Sequence, residues 1–233
     1  MTLVAIHQPN FFPWLGYFDK IRRADIFVFL DSVDYPRSGS GGMGSWCNRV
    51  RINVGDAPHW LTAPVKRMSL GEPISAARID DAKPWRKKAL KTLQGAYAKA
   101  PNRDAALEFL SPLLLRETDN LADYNMANIQ AIATRLGLQT RFVRQSDLAQ
   151  DGTATERLIN IVTALGGTGY LSGGGAGGYQ QEGLYARAGI ELVMQGFEQC
   201  PYRPAADFLP GLSVIDYLMH DSAALDNAPE RSS

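Results

Sequence analysis

The stretch Leu3 to Asp31, LVAIHQPNFFPWLGYFDKIRRADIFVFLD, admits few folds. It opens on a short apolar run, Leu3 to Ile6, and a second run, Ile26 to Leu30, closes on Asp31. Between them lies an aromatic segment that ends in an amphipathic turn. Two short buried runs flanking a helical segment read as a βαβ unit. In such a unit both parallel strands finish on the same edge of the sheet. His7, Gln8 and Asp31 fall on that edge, and ligands of open α/β sheets bind outside the carboxyl ends of the strands. The stretch is therefore the nucleus of a candidate site.

Within it, Phe11 to Ile21 reads as the first helix, with Pro13 in the first turn, where its missing N–H is unpaired anyway. Trp14, Phe18 and Ile21 share one face at helical spacing and read as aromatic core. Tyr17 and His7 carry polar tips and are the better functional candidates. Gly16 allows close approach of a second backbone or a ligand.

The chain then passes through PRSGSGGMGSWC, Pro36 to Cys47, which reads either as a lid over the site or as a plain solvent loop. In WCNRVRI, strand alternation puts Asn48 and Val50 on one face and Arg49 and Arg51 on the other. Two arginines on one face suit bidentate recognition of phosphate or carboxylate, and equally suit a solvated strand. His59 to Val65 reads as another strand, with Ile74 to Asp80 as its pairing partner. Three helices follow: one from Pro84 with Trp85, Leu90, Leu93 and Tyr97 on one face, one over Asp104 to Arg116, and one from Asn120 to Leu136, stopped by Gly137.

Thr140 to Val143 is a further short strand. Thr153 and Glu156 have capping-box spacing and open a helix with Leu158, Ile159, Val162 and Leu165 inward. Strand Gly169 to Ser172 runs straight into Gly173-Gly174-Gly175-Ala176-Gly177-Gly178. A helix from Tyr179 to Ala188 and a strand from Glu191 to Phe197 come next. Glycines at a strand-to-helix turn present backbone N–H groups to an anion. Gly173, Gly175 and Gly178 formally match GxGxxG, but the preceding strand does not open a dinucleotide-binding half. Ser213 caps a last helix, Val214 to Met219.

The organisation expected is an α/β fold with a mostly parallel sheet, flanking helices and a helical insertion. Residues 1–83 and 138–222 form the two parts of the core, 84–137 the insertion or cap, and 223–233 a frayed tail. Lysine plus arginine number 24 and aspartate plus glutamate 24, so the net charge of zero carries no electrostatic signature of nucleic-acid binding. Cys47 and Cys200 form neither a disulfide framework nor a zinc motif, and no metal site is expected. The first twenty residues lack the marks of a signal peptide, no stretch is long enough to span a membrane, and a cytoplasmic location is expected.

The blocks IHQPNFFPWLGYFDKI, ADIFVFLDSV, W-x-NR-x-RI, HWLTAPV, YLSGGGAGGY and LPGLSVIDYL resemble, in that order, the WbqC-like protein family. The resemblance runs from His7 to about Leu218. The extra glycine and serine of Ser38 to Ser45 depart from the family pattern. The family takes its name from a gene of O-antigen clusters. The resemblance implies a role in bacterial surface-polysaccharide or modified-sugar biosynthesis, with acyl or aminoacyl transfer onto an amino sugar as the activity. A looser likeness of architecture links the first βαβ to nucleotidylyltransferases with an HxGH turn. Here Trp14-Leu15-Gly16-Tyr17 keeps the glycine and lacks both histidines.

These readings place His7 as general base, through an imidazole pKa near neutrality. Asp31 orients it or holds the acceptor amine. Gln8, Asn10, Tyr17, Asn48, Arg49, Arg51, Ser172, Gly173, Gly174, Gly175 and Tyr179 are the expected substrate contacts. The partner expected is a small molecule, with a sugar nucleotide foremost, and the cofactor is left open. A nucleotide-dependent activating enzyme and a non-catalytic sugar- or nucleotide-binding protein are the alternatives.

Overall fold

The structure is a computed structural model that describes residues 1–36, 45–148, 152, 154–173 and 182–221. Five strands form one parallel sheet: β1 (Leu3–His7), β2 (Ile26–Phe29), β5 (Arg141–Arg144), β6 (Gly169–Ser172) and β7 (Glu191–Met194). A separate antiparallel hairpin joins β3 (Arg49–Val54) to β4 (Ala57–Thr62). The helices are α1 (Leu15–Arg23), α2 (Trp85–Ala96), α3 (Arg103–Leu114), α4 (Leu121–Arg135), α5 (Ala154–Ala164), α6 (Glu182–Arg187) and α7 (Val214–His220). The α/β fold with a parallel sheet is thus what the strand patterns predict. No helix among the described residues is long and apolar enough to cross a membrane.

Strand alternation builds two cores. Val4, Ile6, Ile26, Val28 and Tyr170 face one way and pack with Ile161 and Val162 of α5 and Tyr185 of α6. Ala5, Phe27, Phe29 and Leu171 face the other way, toward Phe18 and Ile21 of α1. The same buried cluster takes in Leu93 of α2, Leu110 of α3, Ile129 of α4, Leu218 of α7 and Val50 and Ile52 of the hairpin. Ile161 is fully buried beside Val162, whereas Leu158, Ile159 and Leu165 are only half-buried.

The sheet order is β5-β2-β1-β6-β7. The chain builds outward from β1 to β2 and β5, then crosses back to add β6 and β7 on the other side. The reversal falls between β1 and β6, the topological switch point where doubly wound sheets open a crevice. The two strands pair only from Leu3↔Gly169 to Ala5↔Leu171. Beyond that each follows its outer neighbour, β1 as far as His7↔Phe29 and β6 as far as Ser172↔Met194. The carboxyl edge therefore forks, with His7 on one prong and Ser172 on the other.

Several local expectations give way to tertiary contacts. Helix α1 starts at Leu15 rather than Phe11, because the backbone of 11–13 is engaged elsewhere. Phe11 N donates to Trp46 O (2.9 Å), and Pro13 O accepts from Val214 N (2.8 Å). Phe12 O accepts from Ser213 Oγ (2.6 Å), which also accepts from Ile215 N (3.2 Å) as the cap of α7. Phe12 itself has a φ of 40°, a left-handed backbone that a bulky residue rarely adopts. Trp14 lies outside the helix and is exposed, its ring edge against Phe197.

Strand β4 pairs with β3, not with Ile74 to Asp80. Gly55 and Asp56 at φ of 59° and 60° make the two-residue turn that brings those strands together. Ile74–Ala76 is a single 3-10 turn, and the expected pairing survives only as the bridge Val65↔Ile79.

Gly167 marks the tightest seam of the second core. A Cβ there would lie 2.6 Å from Val4 Cγ2 and 2.8 Å from Val162 Cγ1. Gly167→Ala is expected to destabilise the protein by about 1–3 kcal/mol, read as a lowered midpoint in urea unfolding.

Candidate functional site

His7 ends β1 and is half-buried at the fork. Its ring meets Tyr17 edge-on, with centroids 4.8 Å apart. Its Nδ1 lies 3.1 Å from Gln8 O, which also accepts from Tyr17 Oη at 2.9 Å. A carbonyl oxygen only accepts, so Nδ1 carries the proton and Nε2 keeps its lone pair. The imidazole pKa is lowered from 6.5 to about 4, first by burial and then by the Lys20 ammonium. The near-neutral pKa expected from sequence is therefore not what the fold produces: at pH 7 His7 is a neutral hydrogen-bond acceptor.

Lys20 is a site residue that the sequence reading missed. It is buried, and its Nζ donates to Ile6 O at 2.9 Å. Leu30 N donates to His7 O, so the His7 carbonyl faces β2 and strand alternation turns that of Ile6 toward β6. Pairing with β6 has ended by then, and Lys20 occupies the gap. A lysine on the otherwise apolar Tyr17–Ile21 face of α1 was the available signal.

Ser172 is buried on the opposite prong and its Oγ donates to Gly173 O at 3.3 Å. Gly173 is half-buried. Gly174, Gly175 and Tyr179 lie outside the described residues, as do Ser38 to Gly44 of the expected lid.

The floor beside the fork is Gln8 to Asn10. Cys47 Sγ sits 4.0 Å from Gln8 Oε1 and 3.9 Å from Asn10 Oδ1. Burial pushes that thiol up to about 12, so it packs and does not react. Asn125 of α4 binds this floor to the next segment, donating to Pro9 O (2.9 Å) and Cys47 O (2.7 Å).

Past Cys47 a cleft of about 400 Å³ opens, lined by Tyr35, Ser45, Asn48, Arg49, Lys66 and Arg67 among others. Lys66 and Arg67 were not singled out from sequence. None of the three cations has a carboxylate within ion-pair reach among the described residues. Arg49 lies over the exposed ring of Trp60 at 4.3 Å, and Trp60 packs on Trp46 at 5.4 Å. Arg51 shares the strand face of Arg49, as alternation predicts, but leans over Trp46 at 5.9 Å and does not line the cleft.

Asp31 does not join this group. Its fully buried carboxylate accepts from Arg144 Nε (2.6 Å), Ser146 N (3.0 Å) and Ser146 Oγ (2.9 Å). These donors come from the end of β5 and the turn after it, on the side of β2 away from His7. The expected role in orienting His7 gives way to a structural one: Asp31 closes the edge of the sheet between β2 and β5.

The family model described as the WbqC-like protein family matches residues 8–226. The chain belongs to this family. The WbqC-like match starts one residue after His7 and takes in the floor from Gln8, the Ser172 prong of the fork, the cleft and α7. Among curated proteins, this WbqC-like chain is similar to the uncharacterized protein Rv1507c of Mycobacterium tuberculosis (strain ATCC 25618 / H37Rv). The two are 30% identical over 228 residues, which covers 96% of this chain and 95% of that protein. No solved structure matches the chain.

Two outcomes follow from this geometry. Asp31→Ala strips the Ser146 donors of their acceptor while Arg144, partly exposed, keeps Asp123 at 2.8 Å, and is expected to cost about 1–3 kcal/mol in denaturant unfolding. The His7 imidazole resonances should stay in place. A second outcome concerns pH. Between about 6.5 and about 4 the unfolded chain binds more protons at His7 than the native chain does, so stability falls as pH drops through that window. His7→Gln should flatten this fall, measured as the difference in unfolding free energy between pH 7 and pH 5.

Proposed function

We propose that the protein transfers an acyl or aminoacyl group to an amino sugar nucleotide in the biosynthesis of a bacterial surface polysaccharide or modified sugar. The carrying observation is the forked switch point, with His7 on one prong and Ser172–Gly173 on the other. Membership of the WbqC-like family supports the biological context. The cleft of Arg49, Lys66 and Arg67 suits the diphosphate of a nucleotide.

In this reading the acceptor amine lies against His7 Nε2, which is unprotonated at pH 7 and free to accept its hydrogen bond. The amine lone pair attacks the carbonyl carbon of an activated acyl donor. As the C–N bond forms, His7 takes the amine proton, and the leaving group departs with the electron pair of its bond to carbon. Tyr17 braces the ring by its edge contact and keeps Gln8 O in place for Nδ1–H. Cys47 is buried and held in its thiol form, and among the described residues Ser172 Oγ bonds to the Gly173 carbonyl and to no base. Direct transfer is therefore favoured over a covalent enzyme intermediate.

The order β5-β2-β1-β6-β7 supports a second reading, nucleotide-dependent activation of a carboxylate or phosphate, because nucleotides bind at the switch point of sheets ordered this way. Mg²⁺-dependent ATP binding would favour it, whereas binding of UDP- or dTDP-amino sugars favours transfer. With a turned-over pair in hand, His7→Ala should lower kcat by about 10²–10⁴-fold with acceptor binding retained, measured by mass spectrometry of the acylated sugar. Turnover within a few-fold of wild type would remove His7 from the chemistry. Wild-type protein that binds the sugar nucleotide and turns over no donor would be a binding protein instead.

A further inference from the structure

The fork holds a charge that the proposed transfer does not use. Lys20 is only 4% exposed, and among the described residues its three donors meet one acceptor, Ile6 O. No carboxylate lies within ion-pair reach of its Nζ among the described residues. Asp19, its neighbour on α1, is turned to Arg22 (3.1 Å) and Gln195 Nε2 (3.0 Å). The groups that face the ammonium are the His7 imidazole on β1 and the Tyr170 ring on β6, whose centroid is 5.9 Å away.

A buried cation without a counter-ion is unfavourable, and the strain eases when its pKa falls or when a group from outside the chain completes it. Capping the Ile6 carbonyl does not explain it, since a neutral hydroxyl or amide would serve there with no buried charge. Its place does: the ammonium stands between the diverging carboxyl ends of β1 and β6, at the mouth of the switch point. On the β6 side Gly173 follows Ser172 directly and brings a side-chain-free backbone to the edge.

We infer that Lys20 is the anion-binding residue of the fork, and that its partner is a phosphoryl group of the substrate seated between the ends of β1 and β6. The inference rests on the fork being the reaction centre, and it adds a coupling. Burial, and after it Lys20, holds down the proton affinity of His7, so a bound dianion that offsets the ammonium returns part of the basicity to the imidazole. His7 becomes a stronger base when the site is filled.

Inorganic pyrophosphate is the probe, and the imidazole Cε1–H resonances are the readout; with three histidines in the chain, His7 is assigned by its absence in His7→Gln. In wild-type protein, saturating pyrophosphate should move the His7 pKa upward from about 4 toward 6.5. Lys20→Met should raise the His7 pKa in the free protein, weaken pyrophosphate binding about tenfold or more, and abolish the further response. Lys20→Arg should keep binding, which guards against a Met variant that fails to fold. Pyrophosphate that leaves His7 unmoved in wild type, or that binds Lys20→Met as tightly as wild type, overturns the assignment. Turnover by His7→Ala tests the reaction centre separately, so loss of one does not entail loss of the other.

Discussion

A central parallel strand has to satisfy its backbone groups on both sides, and β1 cannot do so over its whole length. Its pairing with β2 continues to His7, while its pairing with β6 stops at Ala5. The first carbonyl left facing the gap is that of Ile6, and Lys20 fills it from α1. Had a strand amide filled it instead, the two prongs would have stayed zipped and no crevice would open. One long side chain thus stabilises the separation of the strands and brings a charge into the opening. The cost of that charge, a lysine pKa lowered to about 8 by burial, is borne inside the site and not at the surface.

The rest of the molecule holds the fork's surroundings still. Gln8 O accepts from both His7 and Tyr17, which locks the ring and the start of α1 to one carbonyl. Beyond it, the left-handed Phe12 persists because its carbonyl is taken by Ser213 and its neighbours' backbone by Trp46 and Val214. Such strain survives only where surrounding contacts over-determine it. The last helix therefore acts on the first loop, and α4 acts on the same loop through Asn125. Residues far apart in sequence converge on six residues of backbone beside His7.

The strand and helix order was legible in the sequence because each element there carries its own period. Short apolar runs such as Ile26 to Leu30 and the glycine after Leu136 need no knowledge of the remainder of the chain. His7 at the end of β1 and Ser172 at the end of β6 were legible for the same reason. The hidden features depend on distant partners. Asp31 looked catalytic because its position on the edge is visible from sequence, whereas Arg144 and Ser146, which occupy it, sit at the end of a strand and just past it, more than a hundred residues later. Lys20 looked like an ordinary polar position because burial of its charge arises only where β1 and β6 part. The β3–β4 pairing was written in Gly55-Asp56, a turn signal that the apparent match between His59 to Val65 and Ile74 to Asp80 obscured.

Zero net charge and an anionic substrate are compatible once the location of charge is considered. Most acids of the chain that appear in ion pairs face arginines other than Arg49, Arg51 and Arg67. Among the cations outside these pairs, two groups beside the candidate site differ in solvent access. Lys66 and Arg67 are exposed, so their attraction is long in reach and easily screened by salt. Lys20 is buried, so its attraction is short in reach, weakly screened and dependent on position. A ligand with negative charge at two points would be drawn by the first group and placed by the second. Only an anion that enters the fork acts on His7, so charge at the cleft alone does not prepare the base.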